Sequence, residues 1–327
     1  MRVRAAICPQ YGPPEVVEVR ELESPAPEPS QVRVRVSTAA VNFPDVLLVA
    51  DRYQVSVPPP FVPGSEFAGV VTELGSGATG FAVGDRVTGT AMFGAFAEQV
   101  CVPVAALAPI PRGIDDRTAA ASGVAFRTAY HCLRSMARIS AGDDVVVLGA
   151  GGGVGLAAVA LATALGARVT AVASSAEKLA AATSHGAVAV INHRDGELRA
   201  ALKTAIPQGA SAVIDPVGGE LSEPALRALG RGGRFVTIGY ASGTIPQIPL
   251  NLVLVKGIHV LGFQFQDVAR DEFARNEIEL RDLLISGAVR PHIGAKFPLD
   301  QTADALRHVA DGKAIGKVLI QIGSDDD

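Results

Sequence analysis

A chain of 327 residues is too long for one ordinary hydrophobic core, so two domains, or one domain split around another, are expected. With 48% hydrophobic and 19% charged residues, and with 35 Gly and 21 Pro, the composition is that of a globular protein rich in tight turns rather than a disordered one. A net charge of -4 and the lack of any block of Lys and Arg argue against nucleic acid or an anionic membrane as the main partner, and leave room for a small ligand.

Met1 leads directly into the alternating stretch Arg2-Val3-Arg4-Ala5-Ala6-Ile7, which lacks the apolar core and cleavage site of a signal peptide, so the cytoplasm is the expected location. Cys8, Cys101 and Cys132 are odd in number and have no paired spacing, which suggests neither a disulfide framework nor a Cys-rich zinc site. The first third reads as β-rich. Val32, Val34 and Val36 alternate with Arg33 and Arg35, Glu66 to Leu74 and Ala95 to Val102 are apolar runs, and Gly/Pro clusters separate them. This pattern predicts a compact, barrel-like domain with few helices.

From about Gly123 the pattern changes to β-branched runs alternating with helical segments, the signature of a parallel sheet. Six strands are expected: Val145–Leu148, Arg168–Ala173, Ala187–Ile191, Ala212–Ile214, Arg234–Ile238 and Ile258–Gly262, matching a doubly wound α/β sheet. Glycines at Gly166, Gly186 and Gly230 are read as left-handed caps ending the intervening helices. The uncharged stretch Val145 to Ala167 is long enough to span a bilayer, but its glycines break it into pieces too short to do so. Beyond Gly262 a helix from about Asp267 to Ser286, a turn from Gly287 to Gly294, a helix near Asp300 to Asp311 and a strand Lys317–Ile322 are expected. This tail is too small to stand alone and is expected to fold back onto the first domain. The terminal Asp325-Asp326-Asp327 is expected to be a frayed end.

Directly after the first strand of the parallel sheet comes Gly149-Ala150-Gly151-Gly152-Gly153-Val154-Gly155, then a helix. Ala150, Gly152 and Gly155 fit the spacing G-x-G-x-x-G with alanine first. Such a turn brings backbone against a pyrophosphate and aims helix amides and dipole at its charge, which makes Gly152, Gly153, Val154 and Gly155 candidate cofactor contacts. About 20 residues on, an NAD site places an Asp or Glu to hold the ribose hydroxyls. Here the second strand ends Ala171-Val172-Ala173 and is followed by Ser174, Ser175 and Lys178, donors and a cation suited to a 2′-phosphate, so NADPH is the expected cofactor. Ser174 with Glu177 also reads as a capping box for the next helix. His193 and Arg194 are placed to approach the same phosphate, or are ordinary loop polarity.

On these residues the whole chain resembles the quinone oxidoreductase, or zeta-crystallin-like, branch of the medium-chain dehydrogenases/reductases. The likeness is carried by Val41-Asn42-Phe43-Pro44-Asp45, Phe61-Val62-Pro63-Gly64-Ser65-Glu66-Phe67-Ala68-Gly69, Gly84-Asp85-Arg86-Val87, Thr128-Ala129-Tyr130, Gly152-Gly153-Val154-Gly155, Asp215-Pro216-Val217-Gly218-Gly219 and Gly316-Lys317-Val318. The resemblance implies a GroES-like catalytic domain over 1–123 and 263–327, a Rossmann domain over 124–262, a cleft for nicotinamide and acceptor, and a homodimer pairing the edge Ile258 to Gly262. It also implies that Asn42, Asp45 and Tyr53 line the nicotinamide side as candidate catalytic residues, Tyr53 as proton or hydrogen-bond donor. Thr128, Gly239, Phe263 and Lys317 are implied as further cofactor contacts. Asn42 and Asp45 read equally as caps of the helix beginning at Pro44.

Zinc-dependent relatives hold the metal with Cys and His, and read Gly-His-Glu where this sequence has Gly64-Ser65-Glu66. No cysteine lies near Asn42. The expected chemistry is therefore zinc-free reduction of an acceptor already activated by conjugation, a quinone or an enone. An enoyl-thioester reductase and an NADPH-binding protein with little catalysis remain alternatives. Arg127 departs from the small residue expected before Thr128, either narrowing the pocket, binding an anionic part of a substrate, or forming an ion pair. Phe263, Gln264 and Phe265 fall where the acceptor pocket is expected.

Overall fold

The computed structural model describes residues 2–323, so the acidic end Asp325-Asp326-Asp327 lies outside the described residues. The chain forms two compact units, one comprising the residues up to Val124 and those from Ile293 onward, the other Ala125–His292.

The first unit is built on a seven-stranded sheet. Its path runs Ile293–Pro298, Lys317–Gln321, Gln31–Val41, Glu66–Leu74, Arg86–Thr90 and Leu107–Pro109, and Gln99–Pro103 also pairs with Gln31–Val41. All these pairs are antiparallel except that of the two last strands in sequence, which is parallel. Alternation places Val32, Val34 and Val36 inward, fully buried with Phe67, Val71, Val87 and Phe96, while Arg33 and Arg35 point away. Arg2–Ile7 and Glu18–Glu23 form a separate hairpin-like pair. The run Ala95 to Val102 is a strand only from Gln99. Before it, Ala95 and Phe96 donate their N–H groups to Gly64 and Pro63 carbonyls and fill the core. The strand Ile293–Pro298 replaces part of the turn expected there. Gly294 is not a turn residue: a Cβ on it would stand 2.0 Å from the Ile315 carbonyl, so it allows two backbones to approach.

The second unit holds six parallel strands in the order Ala189–Asn192, Arg168–Ala173, Asp144–Leu148, Ala210–Asp215, Leu229–Thr237 and His259–Gly262. All six expected strands are present, and the strand that comes first in sequence, Asp144–Leu148, lies central, with the order reversing beside it as in a doubly wound sheet. Val145 to Leu148 have no exposed surface, because helices cover both faces. The following helix, Gly153–Ala164, is apolar all round and buried from Gly155 to Ala162, which accounts for the long uncharged stretch. No helix among the described residues is long and apolar enough to cross a membrane.

Gly166 (φ +83°) and Gly186 (φ +100°) end their helices in the left-handed region. Gly230 does not. The helix Ser222–Ala228 stops when Leu229 turns extended and bonds its N–H to Leu226, and the left-handed residue is Gly232, inside the next strand. Residues 263–292, placed with the first domain by the sequence reading, cluster with the second unit. The helix Arg270–Ile285, beginning three residues later than expected, docks on the helix Ala125–His131 through polar pairs that patterning alone does not reveal.

Candidate active site

The strand Gln31–Val41 ends at Asn42, which is extended and caps the helix Phe43–Val49. Asp45, in that helix's first turn, reaches back to accept the Asn42 N–H at 2.7 Å, one half of a capping box. The side chain of Asn42, placed for the other half of the box, also ties the helix start to its neighbours. Its Nδ2 donates to Glu66 Oε1 at 2.9 Å and Ser65 Oγ at 3.1 Å, while its Oδ1 accepts from Lys317 Nζ at 2.6 Å. Lysine only donates, so this contact fixes which end of the amide faces which way.

Sheet register gathers these residues: Glu66 pairs with Ala40, and Val318 with Val41, which sets Lys317 beside the start of the helix. Lys317 Nζ donates to Glu66 Oε1 at 2.6 Å and to the Val41 carbonyl at 3.2 Å; the other carboxylate oxygen of Glu66 accepts the Val124 N–H at 2.7 Å. Asn42, Asp45, Glu66 and Lys317 are all buried, leaving Ser65 as the half-exposed member. Burial pushes the Asp45 carboxyl up to about 7, against the opposing pull of the Asn42 N–H, the Ser65 hydroxyl and the Lys317 charge. Its Oδ1 is buried without a hydrogen-bond partner.

Tyr53 packs half-buried against the core of this unit, and its hydroxyl has no hydrogen-bond partner among the described residues. Glu66 is the member that sequence reasoning missed as a partner. Its signal was a carboxylate heading an otherwise apolar buried strand, matched by Lys317 heading another.

In the second unit, the turn after Asp144–Leu148 begins at Gly149 (φ +58°), whose carbonyl accepts the Gly152 N–H at 2.9 Å. Gly152 then caps the helix starting at Gly153, so Gly153, Val154 and Gly155 form its first turn with their amides at the helix's positive end. Gly155 has no substitute there: a Cβ would stand 2.1 Å from the Gly149 carbonyl oxygen. Gly151 is bare for another reason, because the Lys178 side chain lies where its Cβ would be, with carbons at 2.5 Å.

Lys178 thus crosses the phosphate turn. Its ammonium is held below its ordinary value, first by burial and then by Arg194; His193 is lowered by burial, by Arg194 and by Lys178. Three basic groups therefore converge at the ends of the second and third strands, where no carboxylate ends the second strand. The cap of the helix Ala176–Ser184 is Ser175, which accepts the Lys178 N–H at 3.4 Å, and not Ser174. Glu177 is therefore one residue short of a capping-box position, and Ser174 is left in the connecting turn.

Asp215 shapes the neighbouring loop: Oδ1 accepts the N–H groups of Val217 and Gly218 at 2.8 Å each, and Oδ2 accepts the Ser222 hydroxyl at 2.6 Å. Gly239 follows the adjacent strand. Thr128 is buried on the helix Ala125–His131. Arg127, on the same helix, is paired with Glu277 at 2.9 Å and lies over the rings of Phe265 and Phe273, 5.5 Å from each centroid. His131, fully buried, bonds to Glu277 and Asn276, and Phe263 stacks on its ring at 6.2 Å. Arg127, Phe263 and Phe265 are thus parts of one packed polar and aromatic block. Among the described residues, no three His, Cys, Asp or Glu side chains form a metal-ligand group.

The family model of the alcohol dehydrogenase GroES-like domain matches residues 28–112, and that of zinc-binding dehydrogenases matches residues 153–281. The chain is 37% identical to quinone oxidoreductase-like protein 2 of Mus musculus over 326 residues, covering 98% of this chain and 92% of that protein. A crystal structure of Escherichia coli quinone oxidoreductase complexed with NADPH is 29% identical, with a TM-score of 0.88 over 98% of this chain and 99% of that one. A structure of an NAD-dependent alcohol dehydrogenase is 32% identical, with a TM-score of 0.88 over 99% and 100%. From these matches, spread over both units, the chain belongs to the medium-chain dehydrogenase/reductase superfamily, in its quinone oxidoreductase branch.

Proposed function

We propose that the protein is a zinc-independent, NADPH-dependent reductase of quinones or related conjugated carbonyls. The observation that carries this reading is the convergence of Lys178, His193 and Arg194 beside the phosphate turn, with serines where an NAD site has an acid. Gly152, Gly153, Val154 and Gly155 would hold the pyrophosphate, and Ser174, Ser175, Lys178 and His193 the 2′-phosphate, with Thr128, Gly239 and Phe263 as further contacts, whereas Lys317, implied as a contact by the sequence, is buried with its donors spent on Glu66, Asn42 and Val41. When bound, the cofactor supplies hydride; the chain's own residues orient the acceptor and manage its proton.

One family model is named for zinc, yet the residues here do not fit that metal. Ser65 and Asn42 offer a hydroxyl and an amide in place of the imidazole and thiolate donors of zinc sites, and the carboxylate of Glu66 is already neutralised by Lys317. A conjugated acceptor, which needs no Lewis acid, is the matching substrate class.

NADPH and NADH oxidation followed with a quinone, an enone, an enoyl thioester and an aldehyde, with and without chelator, tests this reading. Chelator-insensitive, NADPH-specific turnover of the quinone or enone is expected. Turnover of the thioester alone would move the protein to the enoyl reductases, and NADPH binding without any turnover would leave a binding protein.

A homodimer belongs to the same proposal. The edge strand His259–Gly262 exposes Val260, and Ile245, Leu250, Leu254 (83% exposed) and Val255 are exposed in the segment before it, apolar side chains that a second copy would cover. Sedimentation should find a dimer, and Leu254→Asp combined with Val260→Lys should halve its mass; a native monomer would sink the idea. The free thiols, Cys8 and Cys132 buried and Cys101 half-exposed, suit the reducing cytoplasm.

A further inference from the structure

We propose that Asp45 is the proton reserve of the site and passes its proton through the hydroxyl of Ser65 to the reduced acceptor. The inference rests on the reductase reading above and assigns the source of the proton that hydride transfer leaves to be supplied.

The argument is one of elimination inside the buried cluster. Asn42 has spent its amide: Oδ1 on Lys317, Nδ2 on Glu66 and Ser65. Glu66 accepts on both oxygens, from Lys317, Asn42 and the Val124 N–H. Lys317 spends its donors on Glu66, Asn42 and the Val41 carbonyl. Only Asp45 keeps an uncommitted polar atom, Oδ1, enclosed with no partner.

A fully buried carboxylate with one bare oxygen is costly, whereas a carboxylic acid there carries no charge and has a proton to give. Oδ2, by contrast, is anchored by the Asn42 N–H at 2.7 Å. The charged groups facing Asp45 are Lys317, which favours its anion, and Glu66, which opposes it. Burial outweighs the Asn42 N–H, the Ser65 hydroxyl and the Lys317 charge, all of which favour the anion, and pushes the carboxyl up to about 7.

Ser65 is the exit: its hydroxyl is the side-chain hydrogen-bonding neighbour that acts on the Asp45 carboxyl, its oxygen also accepts from Asn42 Nδ2, and it is the member of the cluster that reaches the surface of the unit. A bound reduced nicotinamide would supply the hydride, and what is left for the chain is a proton for the acceptor oxygen. That oxygen takes the Ser65 hydroxyl proton; Ser65 takes the Asp45 proton. Asp45 becomes a carboxylate, held by the Asn42 N–H and the field of Lys317, and regains a proton from water between turnovers.

The test pairs a direct view of the carboxyl with kinetics. Infrared titration of the intact protein, with Asp45→Asn as the reference that lacks the acid, should show a protonated carboxyl lost near pH 7; a carboxyl that ionises in the ordinary Asp range overturns the proposal without any assay. In turnover, kcat should fall on a basic limb near pH 7. That limb should vanish in Asp45→Asn, and kcat should drop about 100-fold in both Asp45→Asn and Ser65→Ala while the KM for NADPH stays unchanged. If Asp45→Asn does not fold, Ser65→Ala carries the kinetic test. A full-rate Ser65→Ala overturns the relay. A basic limb lost in Tyr53→Phe but kept in Asp45→Asn would give the proton to Tyr53 instead. Absence of turnover with every acceptor would remove the reductase reading and the relay together, while turnover with a flat profile removes only the relay.

Discussion

Lys317→Met is expected to lower the stability of the first unit by about 3–5 kcal/mol, the loss that follows when one partner of a buried ion pair is removed. The side chain is almost wholly enclosed, and three acceptors depend on it: Glu66 Oε1, Asn42 Oδ1 and the Val41 carbonyl. Without the ammonium, Glu66 keeps two neutral donors for a full charge, and Asn42 Oδ1 has none. The double variant Glu66→Gln, Lys317→Met should recover most of the loss, because it removes the uncompensated charge along with its partner. Urea unfolding of both variants decides the matter. A loss under about 1 kcal/mol for Lys317→Met would mean that water or a rearranged Asn42 neutralises Glu66, a value typical of exposed pairs.

The largest functional effect is expected at the basic end of the cofactor site. Lys178→Ala with Arg194→Ala should raise the KM for NADPH by about 100-fold or more while leaving that for NADH within a few-fold, since a charge-assisted bond to phosphate contributes about 1.5–3 kcal/mol. Adding an acid at the end of the second strand, Ser174→Asp, should repel the 2′-phosphate and extend the reversal. Lys178 is expected to be the stronger lever, because its stem lies against Gly151 in the phosphate turn. Equal losses for both cofactors would show that these residues serve the turn's architecture and not the choice of nucleotide.

Much of the second unit was legible in the sequence because both of its periodicities are local. Uncharged β-branched runs become strands buried on two faces, and glycines with positive φ mark two of the helix ends. The errors came where a distant backbone decides. Gly294 reads as a turn residue until the Ile315 carbonyl is seen against it, and Gly230 reads as a cap although Leu229 ends the helix by turning extended. The position of 263–292 depended on Arg127, Tyr130 and His131 finding Glu277, Glu279 and Asn276 on a helix about 150 residues away. Asn42, Asp45 and Lys317 could each be nominated from a motif. Their assembly with Glu66 is a matter of strand register, and no pattern within one segment encodes it.

The union of Glu66 with Lys317 spans 251 positions of the chain, which also orders events in time. At a synthesis rate of about 5–20 residues per second, roughly 13–50 s separate the making of the carboxylate from the making of its ammonium. The intervening Ala125–His292 is contiguous and can be completed within that interval, whereas the sheet of the first unit waits for its last strand, Lys317–Gln321, to enter between Gln31–Val41 and Ile293–Pro298. During biosynthesis, therefore, the parallel-sheet unit is the elder of the two although its sequence starts later, and the buried polar cluster is among the last parts of the molecule to exist.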